Sequence, residues 1–236
     1  AGAHGGTGMT RAARGRASRL RVPPMAQPVA LLLAALLLVG CSTGPAGTGA
    51  SGSRTLPARA DTAGVDVDTP ALRALKQKAG IEPCPASTAG PVAAGAGLPD
   101  VTLPCLGGGR DVALAGLRGP MVVNLFAQWC GPCREELPYY QRLHEKAGDR
   151  LRVLGLDYLD TQPEAALMLA RETGVTYPLV ADPGGEVRGP LRARGLPGIV
   201  FVAADGTVAA VEYRVVSSYA ELRDLVSARL GVRLPA

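Results

Sequence analysis

Residues 121–133 read Met-Val-Val-Asn-Leu-Phe-Ala-Gln-Trp-Cys-Gly-Pro-Cys, and this stretch decides the fold. Its first seven residues form an apolar run of the kind that makes a central β-strand covered on both faces. Cys130 and Cys133 follow at once, and the pattern of residues 132–146 predicts a helix. The stretch therefore predicts a buried strand that leads directly into a helix with two cysteines at its beginning.

Strands and helices alternate on both sides of this stretch. Two short strands are predicted at residues 101–106 and 111–114, joined through Gly107-Gly108-Gly109 as a hairpin. Further strands are predicted at 151–156, 177–181, 199–203 and 208–213, with helices at 161–174, capped by Thr161, and at 219–230. This order predicts an α/β fold with a mixed central sheet covered by helices on both faces, an N-terminal hairpin and a central helix–strand insertion.

The first forty residues have the composition of an export signal. They contain no acidic residue and five of the 25 basic residues, namely Arg11, Arg14, Arg16, Arg19 and Arg21. The rest of the chain therefore has 20 basic and 20 acidic residues. The positive charge therefore indicates targeting and not binding to nucleic acid. Residues 29–39 are apolar but too few to cross a membrane, which takes about 20 residues in a helix. We interpret residues 1–40 as a secretory signal peptide.

The apolar run ends in Leu38-Val39-Gly40-Cys41, which resembles the lipobox of bacterial lipoproteins. The resemblance implies that Cys41 is lipidated and anchors the chain to the extracytoplasmic side of the cell membrane. A soluble secreted protein with a spare Cys41 thiol and an uncleaved signal anchor are the alternatives. Residues 41–68, rich in small and polar residues, predict a flexible tether. Residues 69–97 are expected to form an extension with a short helix, and residues 98–236 the main domain.

Each of the five cysteines in an exported chain needs a destination. Cys41 is assigned to lipid, and Cys130 forms a Cys-x-x-Cys pair with Cys133. Cys84 and Cys105 then remain, and we expect them to form a structural disulfide. That bond would close a loop of about 22 residues and contribute roughly 3 kcal/mol in the chain-entropy model. A zinc site built from the four cysteines is the alternative, but only one pair has the spacing of zinc ligands. We therefore expect no metal and no cofactor.

The position of Cys130 at the beginning of a helix indicates its chemistry. Free backbone N–H groups and the positive end of the helix dipole stabilise a thiolate there, so Cys130 is the predicted nucleophile. Cys133 lies one turn further along and can attack a mixed disulfide formed by Cys130. Pro132 is tolerated because N–H groups in the first turn lack partners within the helix.

Residues 124–138, and above all Trp129-Cys130-Gly131-Pro132-Cys133, resemble the thioredoxin superfamily and its membrane-tethered TlpA and ResA branch. The resemblance covers residues 98–230, including the insertion at 161–181. It implies a thiol–disulfide oxidoreductase that reduces disulfides in exported proteins such as apocytochrome c during cytochrome c biogenesis. A membrane thiol transporter would supply the electrons, and the Gly-Pro dipeptide between the cysteines favours reduction over oxidation.

The resemblance also suggests roles for single residues. Residues 195–201 match the segment in which the family places a cis-proline facing the dithiol, which implies a cis Pro197. Asn124 stands where thioredoxin has a buried aspartate, so another group must handle protons. Glu136 matches a glutamate of the ResA-like branch and is expected to accept the proton of Cys133; a solvated surface acid is the alternative. Trp129 is expected to cover the site and contact substrate, or else only to pack.

Two other functions compete with disulfide exchange. A peroxidase of this fold would require a threonine three positions before its reactive cysteine, where this chain has Ala127. A metal-binding lipoprotein that uses its cysteines as ligands without turnover is the alternative from a different class. His144 falls late on the helix that follows the dithiol, and we interpret it as a surface residue.

Overall fold

The computed structural model describes residues 63–236 together with Gly2. Besides two one-turn 3-10 helices, Leu114–Gly116 and Gly148–Arg150, these residues form eleven α-helices and β-strands. In chain order they are α1 (Pro70–Ala79), β1 (Thr102–Leu103), β2 (Val112–Ala113), β3 (Met121–Phe126), α2 (Gly131–Ala147), β4 (Arg152–Tyr158), α3 (Pro163–Glu172), β5 (Leu179–Asp182), β6 (Gly198–Val202), β7 (Val208–Glu212) and α4 (Tyr219–Leu230). The predicted signal peptide apart from Gly2, and residues 41–62 of the predicted tether with Cys41, lie outside the described residues. Within residues 63–236, no helix has both the length and the apolar character needed to cross a bilayer.

The central sheet has five strands in the order β5-β4-β3-β6-β7. Strands β3, β4 and β5 run parallel, whereas β6 is antiparallel to both β3 and β7. All six side chains of β3 are buried, as its apolar sequence requires for a strand with neighbours on both sides. The predicted α/β class with a mixed sheet, an N-terminal hairpin and a helix–strand insertion is confirmed.

The two faces of the sheet are covered differently. Val122 and Phe126 of β3 belong to a buried cluster that includes apolar residues from all four α-helices. Val123 and Leu125 point into a second cluster, formed with the hairpin β1–β2 and with residues of the 183–193 segment. Within residues 63–236, helical cover on this second face is limited to the one-turn 3-10 helix Leu114–Gly116, so the predicted cover by helices on both faces is found mainly on one face. The hairpin and turns fill the space that further helices would occupy.

The residues before β1 are joined to the edge of the sheet. Helix α1 begins after Thr69, whose side chain accepts the Leu72 N–H, and ends at Gly80 in the left-handed conformation. A disulfide joins Cys84 to Cys105, and Cys105 also forms an isolated bridge with Val180 of β5. The N-terminal extension and the hairpin are thereby held against β5.

Two local predictions need correction. Helix α3 begins one residue later than a Thr161 cap would place it, because Gln162 occupies the N-cap position and makes no side-chain capping bond. The Gln162 N–H is instead turned towards the Asp160 carboxylate, 2.9 Å away. Strand β4 runs to Tyr158, two residues beyond its predicted end, and so brings Asp157 into the sheet.

Candidate active site

The dithiol pair lies where the central strand passes into helix α2. Cys130 occupies the N-cap position, and its sulfur accepts the backbone N–H of Cys133 at 3.3 Å. The two cysteines are joined by a disulfide, with Cys130 5% exposed and Cys133 1% exposed. Cys130 is therefore the more accessible residue of the pair, and after reduction the Cys133 N–H and the helix dipole would stabilise its thiolate.

The loop before Cys130 is held to the end of β4. The Gln128 N–H donates to a carboxylate oxygen of Asp160 at 2.7 Å, and the Trp129 indole N–H donates to the Leu159 carbonyl at 3.2 Å. The Trp129 side chain is nonetheless 55% exposed, which leaves its ring surface free beside the dithiol. These two bonds fix the backbone that leads into Cys130 and present the tryptophan to solvent.

A buried pair of carboxyl groups supports this loop, and the sequence did not predict it. Asp157 lies beside Phe126 in the sheet and is 1% exposed, and its carboxyl group lies close to that of Asp160. Burial raises the pKa of Asp157 well above its usual range, and the adjacent Asp160 raises it further. This environment favours the protonated form of Asp157.

A signal for this pair was present in the sequence. An acidic residue that continues an apolar strand, next to the strand carrying the cysteines, lies at the carboxyl end of a parallel sheet where sites commonly form. The predicted end of the strand at Leu156 placed Asp157 in a loop and hid this relation.

Glu136 lies one helical turn after Cys133 on α2 and is buried, with 1% of its surface exposed. One carboxylate oxygen accepts the Val216 N–H, and the other has no hydrogen-bond partner among the described residues. Burial raises the pKa of Glu136 to about 7. The hydrogen bond from the Val216 N–H lowers this pKa, whereas the nearby Glu221 and Glu135 raise it. The environment of Glu136 is therefore that of a buried acid able to exchange a proton near neutral pH, unlike that of a solvated surface residue.

The core behind the dithiol contains polar groups that carry no charge at neutral pH. Asn124 is 1% exposed, and its amide donates weakly to the Tyr177 hydroxyl at 3.5 Å. The Tyr140 hydroxyl is buried and has no hydrogen-bond partner in the described part of the chain. Burial raises the pKa of both tyrosines above the ordinary value. The central strand therefore offers no ionisable group, which leaves Glu136 and Asp157 as the nearby acids.

Pro197 lies at the same end of the sheet as the dithiol. It follows a cis peptide bond from Leu196 and precedes Gly198, which pairs with Leu125 near the end of β3. Leu196 packs partly buried against both core clusters. The fold thus gathers Trp129, Cys130, Cys133, Glu136 and Pro197 at one end, while the Cys84–Cys105 disulfide lies beside the edge strand β5.

The remaining ionisable and metal-binding candidates lie away from this arrangement. His144 is partly buried and contacts Glu82 at 3.0 Å, so it is less exposed than the sequence suggested. Among residues 63–236, no group of three or more His, Cys, Asp or Glu side chains is placed to hold a metal ion.

Comparison with known proteins gives a consistent set of matches. The AhpC/TSA family profile matches residues 94–211, half of the chain. Over 108 residues the chain is 36% identical to the thiol:disulfide interchange protein CycY of Rhizobium leguminosarum bv. viciae, covering 45% of this chain and 54% of that protein. It is 34% identical over 112 residues to DsbE of Pseudomonas fluorescens biotype C, covering 47% and 61%.

A third relative is the thiol-disulfide oxidoreductase ResA of Bacillus thuringiensis strain Al Hakam. It is 28% identical over 102 residues, which cover 42% of this chain and 58% of that protein. The chain thus spans between half and two thirds of the length of these curated relatives.

Proposed function

Because the chain belongs to the AhpC/TSA family, we propose that it is a thiol–disulfide oxidoreductase that reduces disulfide bonds in exported proteins through Cys130 and Cys133. The observation that carries the proposal is the position of Cys130 at the N-cap of α2, with its sulfur accepting the Cys133 N–H. The names of the relatives CycY, DsbE and ResA support exchange between thiols and disulfides as the reaction class. Ala127, in place of a threonine, argues against peroxide reduction.

The reaction begins from the reduced protein. The Cys130 thiolate attacks one sulfur of the substrate disulfide, forms a mixed disulfide and expels the other substrate sulfur as a thiolate. Cys133 then loses its proton and attacks the Cys130 sulfur, which releases the second substrate thiolate and closes the Cys130–Cys133 bond. The substrate gains two electrons, and the protein loses two.

Glu136 is the proposed acceptor of the Cys133 proton. It lies one turn beyond Cys133, and its raised pKa of about 7 is well matched to a proton transfer at neutral pH. Its unpartnered oxygen is available to receive the proton, while the oxygen bonded to Val216 holds the side chain in place.

Trp129 and Pro197 are the proposed substrate contacts. The exposed Trp129 ring offers apolar area beside Cys130. Leu196, before Pro197, lies at the open end of the sheet, where its backbone could pair with an extended substrate segment. Contacts of this kind are compatible with many protein substrates.

The proposed location is the extracytoplasmic side of the cell membrane, with Cys41 as the lipid anchor. The arginine-rich leader and the lipobox-like Leu38-Val39-Gly40-Cys41 support it. Cytosolic thiols do not reach that compartment, so a membrane thiol transporter is the proposed electron donor. The likeness to the TlpA and ResA branch makes apocytochrome c a proposed substrate.

A trapping experiment tests the proposal. In Cys133→Ala the mixed disulfide cannot be resolved, so reduced variant protein incubated with extracytoplasmic proteins should accumulate adducts through Cys130. The double variant Cys130→Ala with Cys133→Ala is the matched control and should form none. Absence of adducts in the single variant, together with one zinc ion bound per unaltered chain, would instead support the metal-binding alternative.

A further inference from the structure

A lysine lies against the second disulfide of the domain. The Lys76 ammonium is 2.9 Å from the Cys105 sulfur and 2.8 Å from the Gly108 carbonyl oxygen. Lys76 is only 8% exposed, although it belongs to a surface helix. A purely structural disulfide does not need a cation at one of its sulfurs, because a neutral disulfide gains little from it. A departing thiolate gains much more.

The two sulfurs of this disulfide differ in access. Cys84 lines an open cleft of about 560 Å³, together with Arg73, Lys76 and Arg110. Cys84 is 8% exposed, whereas Cys105 is 1% exposed, does not line the cleft and lies next to Lys76. An incoming thiolate would therefore meet the Cys84 sulfur first, with the Cys105 sulfur as the leaving group.

The glycine turn after Cys105 makes the lysine contact possible. Gly107, Gly108 and Gly109 all have positive φ, at 71°, 85° and 121°. A Cβ on Gly107 would lie 2.8 Å from Cβ of Lys76, and one on Gly109 would lie 3.6 Å from the Cys105 sulfur. Glycine therefore both admits the lysine and keeps the turn beside the sulfur free of side chains.

We propose that the Cys84–Cys105 disulfide is a second redox centre, which a negatively charged thiol reduces by attack at Cys84 while Lys76 stabilises the departing Cys105 thiolate. We specify an anionic thiol because basic side chains line the cleft. Arg73 and Arg110 are exposed and line the same cleft as Cys84, and Arg73 also pairs with Asp68 at 2.6 Å. The centre is separate from the Cys130–Cys133 site and does not depend on its activity.

The exchange has two steps. The incoming thiolate forms a bond to the Cys84 sulfur, the Cys84–Cys105 bond breaks, and the electron pair leaves on Cys105 beside the Lys76 ammonium. A second thiolate attacks the external sulfur of the mixed disulfide and releases Cys84 as a thiolate, which takes a proton from solvent. Two thiols are oxidised to one disulfide, and the Cys84–Cys105 bond is reduced.

Mass spectrometry after brief reduction of the full-length chain tests the proposal. Limiting mercaptoethanesulfonate is added, the reaction is stopped with acid and a thiol-blocking reagent, and the peptides of the two disulfides are separated. The first adduct of this bond should lie on Cys84. The rate of attack on the Cys84–Cys105 bond, corrected for the ionised fraction of each thiol, should be about tenfold higher with mercaptoethanesulfonate than with cationic cysteamine.

Variants of α1 isolate the role of the lysine. Lys76→Gln should slow attack on this bond at least about tenfold, because it removes a charge-assisted hydrogen bond to the leaving group. Lys76→Arg should restore part of the rate, and Lys78→Gln, an exposed lysine of the same helix, should leave it unchanged. An adduct on Cys105 in the unaltered chain, or equal rates with the anionic and cationic thiols, would overturn the proposal even if Lys76→Gln failed to fold.

Discussion

Replacing Glu136 with glutamine should affect stability and activity in opposite directions. The amide keeps an oxygen that can accept the Val216 N–H, so the packing of α2 against residues near Val216 should survive. The variant loses only the ability to ionise and to carry a proton. A residue needed for packing alone would not separate these two effects.

The expected stability change follows from the raised pKa. Glu136 has a pKa of about 7 in the folded protein, against an ordinary value of 4.5. The folded state therefore holds the proton more strongly than the unfolded state, and the stability of the wild type falls as pH rises from about 4.5 to about 7. A shift of this size corresponds to about 3 kcal/mol, and we take about 2 kcal/mol after allowing for solvent screening.

Thermal unfolding at several pH values measures this change. From pH 4 to pH 8, the free energy of unfolding of Glu136→Gln relative to that of the wild type should rise by about 2 kcal/mol. This rise corresponds to about 4–8 °C in relative melting temperature. Glu135→Gln is the matched control, since Glu135 is exposed and adjacent. It should leave the pH dependence of stability nearly unchanged.

Activity should fall in the same variant. Insulin reduction by Glu136→Gln should drop by about 10²-fold or more, and the inflection near pH 7 in the rate profile should disappear. If the inflection persists in Glu136→Gln, Glu136 is not the proton acceptor. If stability at pH 8 also fails to rise, the buried, ionisable environment inferred for Glu136 is wrong.

Three further outcomes follow from the site. Asp160→Ala removes the acceptor of the Gln128 and Gln162 N–H groups. Chemical denaturation should show a free energy of unfolding lower by about 1–3 kcal/mol, and the fluorescence of Trp129 should change. Trp129→Ala should lower kcat/KM for a protein disulfide more than for a small disulfide, because the exposed ring is the proposed contact for a protein substrate. After full reduction, Cys130 should react with iodoacetamide faster than Cys133, as peptide mapping would show.

The sequence predicted the strands and helices with good accuracy where local pattern decides them. Met121–Phe126 is apolar except for Asn124, and Tyr219–Leu230 has a serine cap and a glycine at its C-cap. Thr161 is not the cap, because Gln162 occupies the N-cap position and its N–H donates to the Asp160 carboxylate. This hydrogen bond depends on the conformation of the loop before α3, which no local sequence pattern indicates.

Contacts between distant segments were the part that the sequence did not reveal. Asp157 and Asp160 become a pair only when β4 extends past Leu156, and Lys76 meets Cys105 across 29 positions of the chain. Glu136 was recognised through a resemblance, but its hydrogen bond with the Val216 N–H joins residues 80 positions apart. Such environments require the assembled fold.

The redox equilibrium of the Cys130–Cys133 pair tests the central claim most directly. The full chain is equilibrated with glutathione buffers of graded composition, and the fraction of this bond that is reduced is measured by alkylation and peptide mapping. A reductase should show a reduction potential near that of thioredoxin, about −270 mV. A value near about −120 mV, as found for a strong oxidant, would contradict the proposed reduction of exported proteins.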